Sequence, residues 1–303
     1  MQPDFPQPAA ALAPPPRFVY VLFLGPEGLR AGWRFLLYLA MGGFVFWLLV
    51  LTLRLMVPRR IGFLWGQMIT ELVLLVAALL PALVMARIEG RPFGVYGLPR
   101  RGAFGKLFWI GMLGGIVSLT VLMLALDSVR VFDFGHIVLH GMRMLKFAAF
   151  YAVFFLVVGF FEEFVTRGYS QFTLTRGMGF WPAAVLLSLA FGSIHLGNSG
   201  EGVVGALSAG FIGFFLCLTL RRTGDLWFAV GFHCSFDWGE TFLYSVPNSG
   251  TTAPGHLLSA SFHGPTWLSG GTVGPEGSVL CFVLMAAMWI VFDRTYREAR
   301  YPA

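Results

Sequence analysis

Charged side chains are scarce in this chain. Asp, Glu, Lys and Arg make up 12% of its 303 residues, about half the quarter that an ordinary soluble domain carries. That shortage argues against a water-soluble globular domain and leaves a polytopic membrane protein. The 57% hydrophobic content, the 32 Phe and the 9 Trp agree with side chains that meet lipid and interface. Cysteine is rare as well. Cys217, Cys234 and Cys281 lie in apolar segments, and no pair has metal-ligand or redox spacing; they read as small buried residues. Clustered basic charge is missing too. The formal net charge is +6, yet the excess is spread over loops, whereas a nucleic-acid surface would gather it on one face or helix. No nucleic-acid partner is expected. No cleavable signal peptide is expected either, because residues 1–30 read as a Pro/Ala-rich tail and an interfacial segment.

What the chain does have is a series of apolar runs. Residues 31–303 read as one transmembrane domain of all-α class, with about eight helices near the 20 residues that span a bilayer. The expected spans are Phe35–Leu55, Ile61–Met85, Leu107–Leu126, Leu145 to about Leu174, Phe180–Ile194, Val203–Leu220, Leu226–Phe242 and Val279–Phe292. In that count the Arg87–Lys106 loop, Arg176, the Arg221–Arg222 pair and Arg294, Arg297 and Arg300 fall on one side. The Gly197–Gly202 turn and residues 245–275, which lack Lys and Arg, fall on the other. The positive-inside rule then puts both termini in the cytoplasm. Arg54, Arg59 and Arg60 depart from this pattern.

The polar exceptions inside the spans carry the functional signal. The run Phe147–Phe161 ends in Glu162 and Glu163, and Arg167 follows four residues later. On a straight helix Glu163 and Arg167 share a face, with Glu162 about 100° round. Ionised groups at such depth are costly and mark function by default. His195 and the His233–Asp237 pair, four apart on one helical face, are the matching groups. At ~1.5 Å per residue, His233 lies about 15 Å, Glu162 about 18 Å and His195 roughly 21 Å from the basic side, so the helices can bring them to one level. Adjacent acids in a low dielectric suit a general acid or base, with Arg167 offsetting the repulsion at Glu163. Imidazoles and carboxylates can bind zinc or position water. From residue types alone, hydrolysis, membrane transport and a structural or receptor role all stay open.

Around this group, Phe191 reads as pocket wall or packing, Asn198 as a helix cap, and Glu240 as exposed at the outer interface. Trp227 and Trp238 read as packing or interface aromatics, and Glu71 as facing the bundle. His136 and His140 lack an acid between them in the zinc-protease pattern and read as surface histidines.

Three motifs in order, Glu162-Glu163-x-x-x-Arg167, Phe191-x-x-x-His195 and His233-x-x-x-Asp237, resemble those of the CAAX protease and bacteriocin-processing family (Abi in bacterial usage). Its members are eight-helix intramembrane proteases related to type II prenyl endopeptidases. The Tyr96-Gly97-Leu98 stretch resembles a bacterial feature of the family, and the likeness covers roughly residues 90–240. The resemblance implies a bacterial inner-membrane endopeptidase that acts on a membrane-embedded peptide or lipidated protein. In it Glu162, helped by His195, activates water, and His233 with residue 237 stabilises the oxyanion. Glu163 and Arg167 form a structural pair. Prenyl-protein members carry Asn where this chain has Asp237, and Asp suits orienting His233 or holding a metal better than donating a hydrogen bond. A bound zinc would take Glu162, His195, His233 and Asp237; activation by Glu and His alone is the other form. A transporter, or a non-catalytic immunity or scaffold protein using the same polar pocket, is the alternative. The resemblance sets no oligomeric state.

Overall fold

The computed structural model describes residues 17–25, 28–56 and 61–301. The Pro/Ala-rich stretch at residues 1–16 and the basic residues Arg59 and Arg60 lie outside them. A short helix α1 (Arg17–Leu22) and a two-stranded hairpin, β1 (Leu24–Gly25) with β2 (Gly28–Leu29), precede the bundle. The bundle is built from α2 (Ala31–Met56), α3 (Phe63–Ile88), α4 (Lys106–Ser128), α5 (Gly141–Glu163), α6 (Tyr169–Met178), α7 (Phe180–His195), α8 (Val203–Thr223) and α9 (Trp227–Trp238). A single turn α10 (Thr266–Ser269) and the final helix α11 (Val279–Thr295) complete it. The architecture is an all-α polytopic membrane protein. Among the described residues, Ala31–Met56, Phe63–Ile88, Lys106–Ser128, Gly141–Met178 and Val203–Thr223 are long and apolar enough to cross a membrane, and Phe180–His195 is a shorter apolar helix. A helical segment stands at each expected span.

α2 is apolar on every side, and only Ala31, Arg34 and Tyr38 are buried, so most of its surface is left to lipid. The centre of the bundle is held by small residues. A Cβ on Gly231 of α9 would lie 2.2 Å from the Phe108 carbonyl oxygen, and one on Gly111 of α4 would lie 2.2 Å from that of Phe228. The two backbones therefore touch, which needs glycine on both sides. Gly159 of α5 meets α9 at Val230 and Cys234, and Gly192 of α7 meets Ala206 of α8. α9 is thus fixed against two neighbours at the level of His233.

Two helices depart from regular α geometry beside the acids. α5 passes into a π-turn, Phe164–Gly168, before α6, and α9 passes into a second, Gly239–Leu243. The straight helix expected from Leu145 to Leu174 is therefore interrupted directly after Glu163. Ser170 Oγ donates to Val165 O at 2.5 Å, five residues back. Such insertions are frequent at functional sites.

The loops opposite the basic residues are stapled together. β3 (Phe132–Asp133) pairs with β4 (Ser261–Phe262) in antiparallel fashion, and His136 N donates to Ser259 Oγ. Tyr151 of α5 donates to Pro254 O at 2.5 Å. On the basic side, Gly97 at φ +91° accepts from Leu226 N through its carbonyl, and a Cβ there would lie 2.7 Å from Leu226 Cγ. This explains the glycine of the Tyr96-Gly97-Leu98 stretch. Glu89, absent from the expected polar groups, is buried there and accepts from Tyr169 Oη at 2.7 Å and Tyr96 Oη at 3.3 Å.

Candidate active site

His233 stands at the centre of the expected constellation. Its Nδ1 lies 2.7 Å from Glu163 Oε1. Its Nε2 lies 3.5 Å from Glu162 Oε2 and 3.4 Å from Asp237 Oδ2. The same Glu163 Oε1 accepts from Arg167 Nη1 at 2.8 Å, so one carboxylate oxygen joins guanidinium and imidazole. Sequence spacing pointed to the Glu163–Arg167 pair but missed the Glu163–His233 contact across 70 residues. The carboxylate at Nδ1 is therefore Glu163, while Asp237 faces the other ring nitrogen.

Arg167 is 1% exposed. Its Nε donates to the Gly213 carbonyl at 3.1 Å, and its guanidinium lies 4.6 Å from the Phe191 ring centroid. Gly213 is glycine for space: a Cβ there would fall 2.4 Å from Arg167 Nη2. Phe191 is thus a wall of the site and also the aromatic face that the buried cation stacks on.

His195 ends α7. Its Nδ1 is 2.8 Å from the Phe191 carbonyl. A carbonyl only accepts, so Nδ1 carries the hydrogen and Nε2 is left to accept a proton or bind water. Its ring packs edge-on against Phe191, which also packs edge-on against His233. His195, Glu162, His233 and Asp237 all line one cavity of about 290 Å³. Apolar walls come from Phe155, Val158, Leu216 and Met285.

The cavity has groups beyond the motifs. Gln67 and Glu71 of α3 reach it together, one helical turn apart, so Glu71 faces the bundle as expected. Asn198 does not cap a helix; its Nδ2 donates to Ser249 O at 2.9 Å and ties the turn after α7 to the outer loop. Glu240 is not exposed but fully buried, because the π-turn rotates it into the bundle. Glu276, in the 3₁₀ turn Pro275–Gly277, also lines the cavity. Its carboxyl is pushed up to about 7 by burial, with nearby Asp237 adding to the rise. Burial likewise holds Glu201, in the turn before α8, above the usual carboxylate range.

The donors do not form a metal cage. Among the described residues no group of three or more His, Cys, Asp or Glu side chains is arranged to hold an ion. His195 holds Nδ1 on a carbonyl and His233 holds Nδ1 on the Glu163 carboxylate that Arg167 already pairs with, so only the two Nε2 atoms are left to face an ion. A zinc ion wants four ligands in tetrahedral array, which the candidate set Glu162, His195, His233 and Asp237 does not present. No chemical step is routed through a metal here.

Residues 144–239 match the family model described as Rce1-like, type II CAAX prenyl endopeptidase. The match runs from α5 into the second π-turn and includes all seven motif residues; Tyr96-Gly97-Leu98 lies outside it. Over these residues the chain is similar to this protease family, and its long apolar helices mark an integral membrane protein. No curated protein matched the chain.

Proposed function

We propose that the Rce1-like domain works as an intramembrane endopeptidase that hydrolyses a peptide bond of a membrane-associated or lipidated substrate with a Glu/His-activated water. The observation that carries this reading is the approach of Glu162 Oε2 to His233 Nε2 at 3.5 Å in a shared cavity, with that oxygen buried and free of hydrogen bonds. A water seated there meets a proton acceptor on one side and an imidazole on the other. Glu162 takes a proton from the water, whose oxygen attacks the carbonyl carbon; His195 Nε2 accepts a hydrogen bond from the same water and aligns it. The carbonyl oxygen becomes an oxyanion facing His233 Nε2–H. As an imidazolium, His233 can donate there while its Nδ1–H is held by the Glu163 carboxylate, which Arg167 fixes from behind. Glu162 then passes its proton to the leaving nitrogen as the C–N bond breaks, and the elements of water are divided between the two products.

Asp237 is acceptor-only when ionised, so its role is to hold the His233 ring plane and the positive charge that the oxyanion needs. The bulk of the basic loops supports both termini on the cytoplasmic side, and the Tyr96-Gly97-Leu98 stretch supports a bacterial plasma membrane.

The test is cleavage by purified protein in lipid across a library of lipidated and unlipidated peptides. Wild type should cut a subset, Glu162→Ala and His233→Ala should not, and a strong chelator should leave the rate unchanged. Loss of activity on chelation, restored by zinc, would replace the metal-free form. Equal cleavage by Glu162→Ala would remove the proposed base.

A further inference from the structure

Helix α3 lies outside the family match, yet it puts two polar side chains into the cavity wall that the proposed chemistry does not use. Gln67 and Glu71 line the cavity beside Phe154 and Val158 of α5. Both are partly buried. Among the described residues neither side chain has a hydrogen-bond or ion-pair partner. Thr70, their polar neighbour on α3, is satisfied by its own helix, donating to Gly66 O at 3.0 Å. Other polar groups on the cavity wall are tied down: Asn198 donates to Ser249 O, Asn248 to Asp237 O and Ser249 to Glu276. The charged group that acts on Glu71 is Glu162, the proposed base. The α3 pair therefore stands beside the reacting centre.

A carboxyl and an amide without partners in an apolar bundle are costly, and a ligand that enters the cavity can supply the partners. The proposed substrate brings the matching groups. A peptide bond is open to attack where the chain is extended, and inside a membrane the N–H and C=O groups that unwinding frees need hydrogen bonds from protein. Gln67 offers NH₂ donors and a carbonyl acceptor, the complement of the N–H and C=O of one residue. Glu71 offers an acceptor oxygen in either protonation state. The spacing fits as well. Four residues along α3 rise ~6 Å. In an extended chain every second residue turns its N–H and C=O to the same edge, a repeat of ~6.6 Å.

We infer that Gln67 and Glu71 bind the main chain of the substrate, holding it as an extended strand alongside α3 next to the bond that Glu162 attacks. Gln67 pairs with the N–H and C=O of one substrate residue, and Glu71 accepts the N–H of the residue two positions away. For this stretch α3 does what the edge of a sheet does for an added strand. The contact reads backbone, so it sets the register of peptides of different sequence, while the apolar walls Phe155, Val158 and Leu216 meet the side chains. The inference rests on the endopeptidase reading and names how that same site holds its substrate.

The experiment uses the full chain in nanodiscs and a set of acylated peptides, each remade with one backbone N–H at a time replaced by an ester oxygen around the cleavage site. The ester keeps the shape of the chain and removes the donor. In wild type, kcat/KM should fall about five- to tenfold, the worth of one hydrogen bond, at two positions two residues apart, with the residue between them spared. Gln67→Leu should abolish the penalty at one of these positions and Glu71→Leu at the other. Glu71→Gln, which keeps an acceptor, should preserve it. Thermal unfolding of each variant guards against a folding defect. Ester penalties at no position, or penalties unchanged in both leucine variants, overturn the main-chain site; the endopeptidase stands where the parent peptide is cut and Glu162→Ala is inactive. A second arm needs no turnover and measures binding of the same peptides to Glu162→Gln protein. Binding weakened by the same two esters, a difference lost in Glu162→Gln/Gln67→Leu and Glu162→Gln/Glu71→Leu, supports the site. Equal binding of parent and ester peptides refutes it, and so does binding of none of them, because main-chain contacts do not depend on peptide sequence.

Discussion

Replacing Gly213 by alanine perturbs the chain of contacts behind His233 without altering a group that takes part in the proposed chemistry. The new Cβ would lie 2.4 Å from Arg167 Nη2 and 3.2 Å from Phe191 Cδ1. Ordinary contact begins near 3.4 Å, so the guanidinium must retreat by about 1 Å. It has little freedom to do so, because Nε is bound to the Gly213 carbonyl and the plane is stacked on Phe191. A retreat of that size stretches the 2.8 Å bond from Nη1 to Glu163 beyond hydrogen-bond range and loosens the carboxylate that holds His233 at 2.7 Å. Overpacking costs about 1–3 kcal/mol, and the gain of replacing a helical glycine returns about 1 kcal/mol. The net loss of stability should thus be modest, about 2 kcal/mol or less. The loss of activity should be larger, because a misplacement of ~1 Å costs about a hundredfold in rate. The assay pairs kcat/KM on a cleaved peptide with thermal unfolding in the same nanodiscs. A folded Gly213→Ala protein with wild-type kcat/KM would refute the reasoning, and so would a loss that only follows the unfolded fraction.

Glu163→Gln removes the counter-charge of a fully buried arginine and should cost about 3–5 kcal/mol, seen as a lower unfolding midpoint, together with loss of cleavage. Gly115→Ala puts a Cβ 2.3 Å from the Phe232 carbonyl oxygen and should destabilise the α4–α9 contact, whereas Gly114→Ala meets only ring atoms at 3.6 Å and should be neutral or stabilising in the same melt. Asp225, in the loop before α9, has its carboxyl raised by burial, against the opposing hydrogen bond from Trp227 N. Its folded form therefore holds the proton more tightly, so its stabilising effect is complete below the usual carboxylate range and is lost as pH rises through the raised value. Asp225→Asn should raise the unfolding midpoint at pH 8 and change it little at pH 4; an equal shift at both would sink that assignment.

Composition and hydropathy alone were enough to read the class of fold and the place of each span, because apolar length is a local property. The motif residues were legible for the same reason: an acid or histidine within an apolar run stands out. What could not be read depends on contacts between distant segments. Glu240 looked interfacial because a regular helix would carry it outward; the π-turn Gly239–Leu243 turns it inward. Asn198 looked like a cap, yet its partner is Ser249 in a loop about fifty residues away. Glu163 looked committed to Arg167, and only the packing of Gly159 against α9 brings His233 to the same oxygen. Glu276 sat in a Gly-rich loop with no pattern to mark it, since its position comes from turns at positive φ.

The most direct test of the central claim is cleavage of a lipidated peptide by the full chain in heavy-oxygen water, read by mass spectrometry of both products. Attack by a Glu162-activated water predicts one heavy oxygen in the new carboxyl group, and no product from Glu162→Gln. Product without the label, or labelled product from Glu162→Gln at the wild-type rate, would contradict the account.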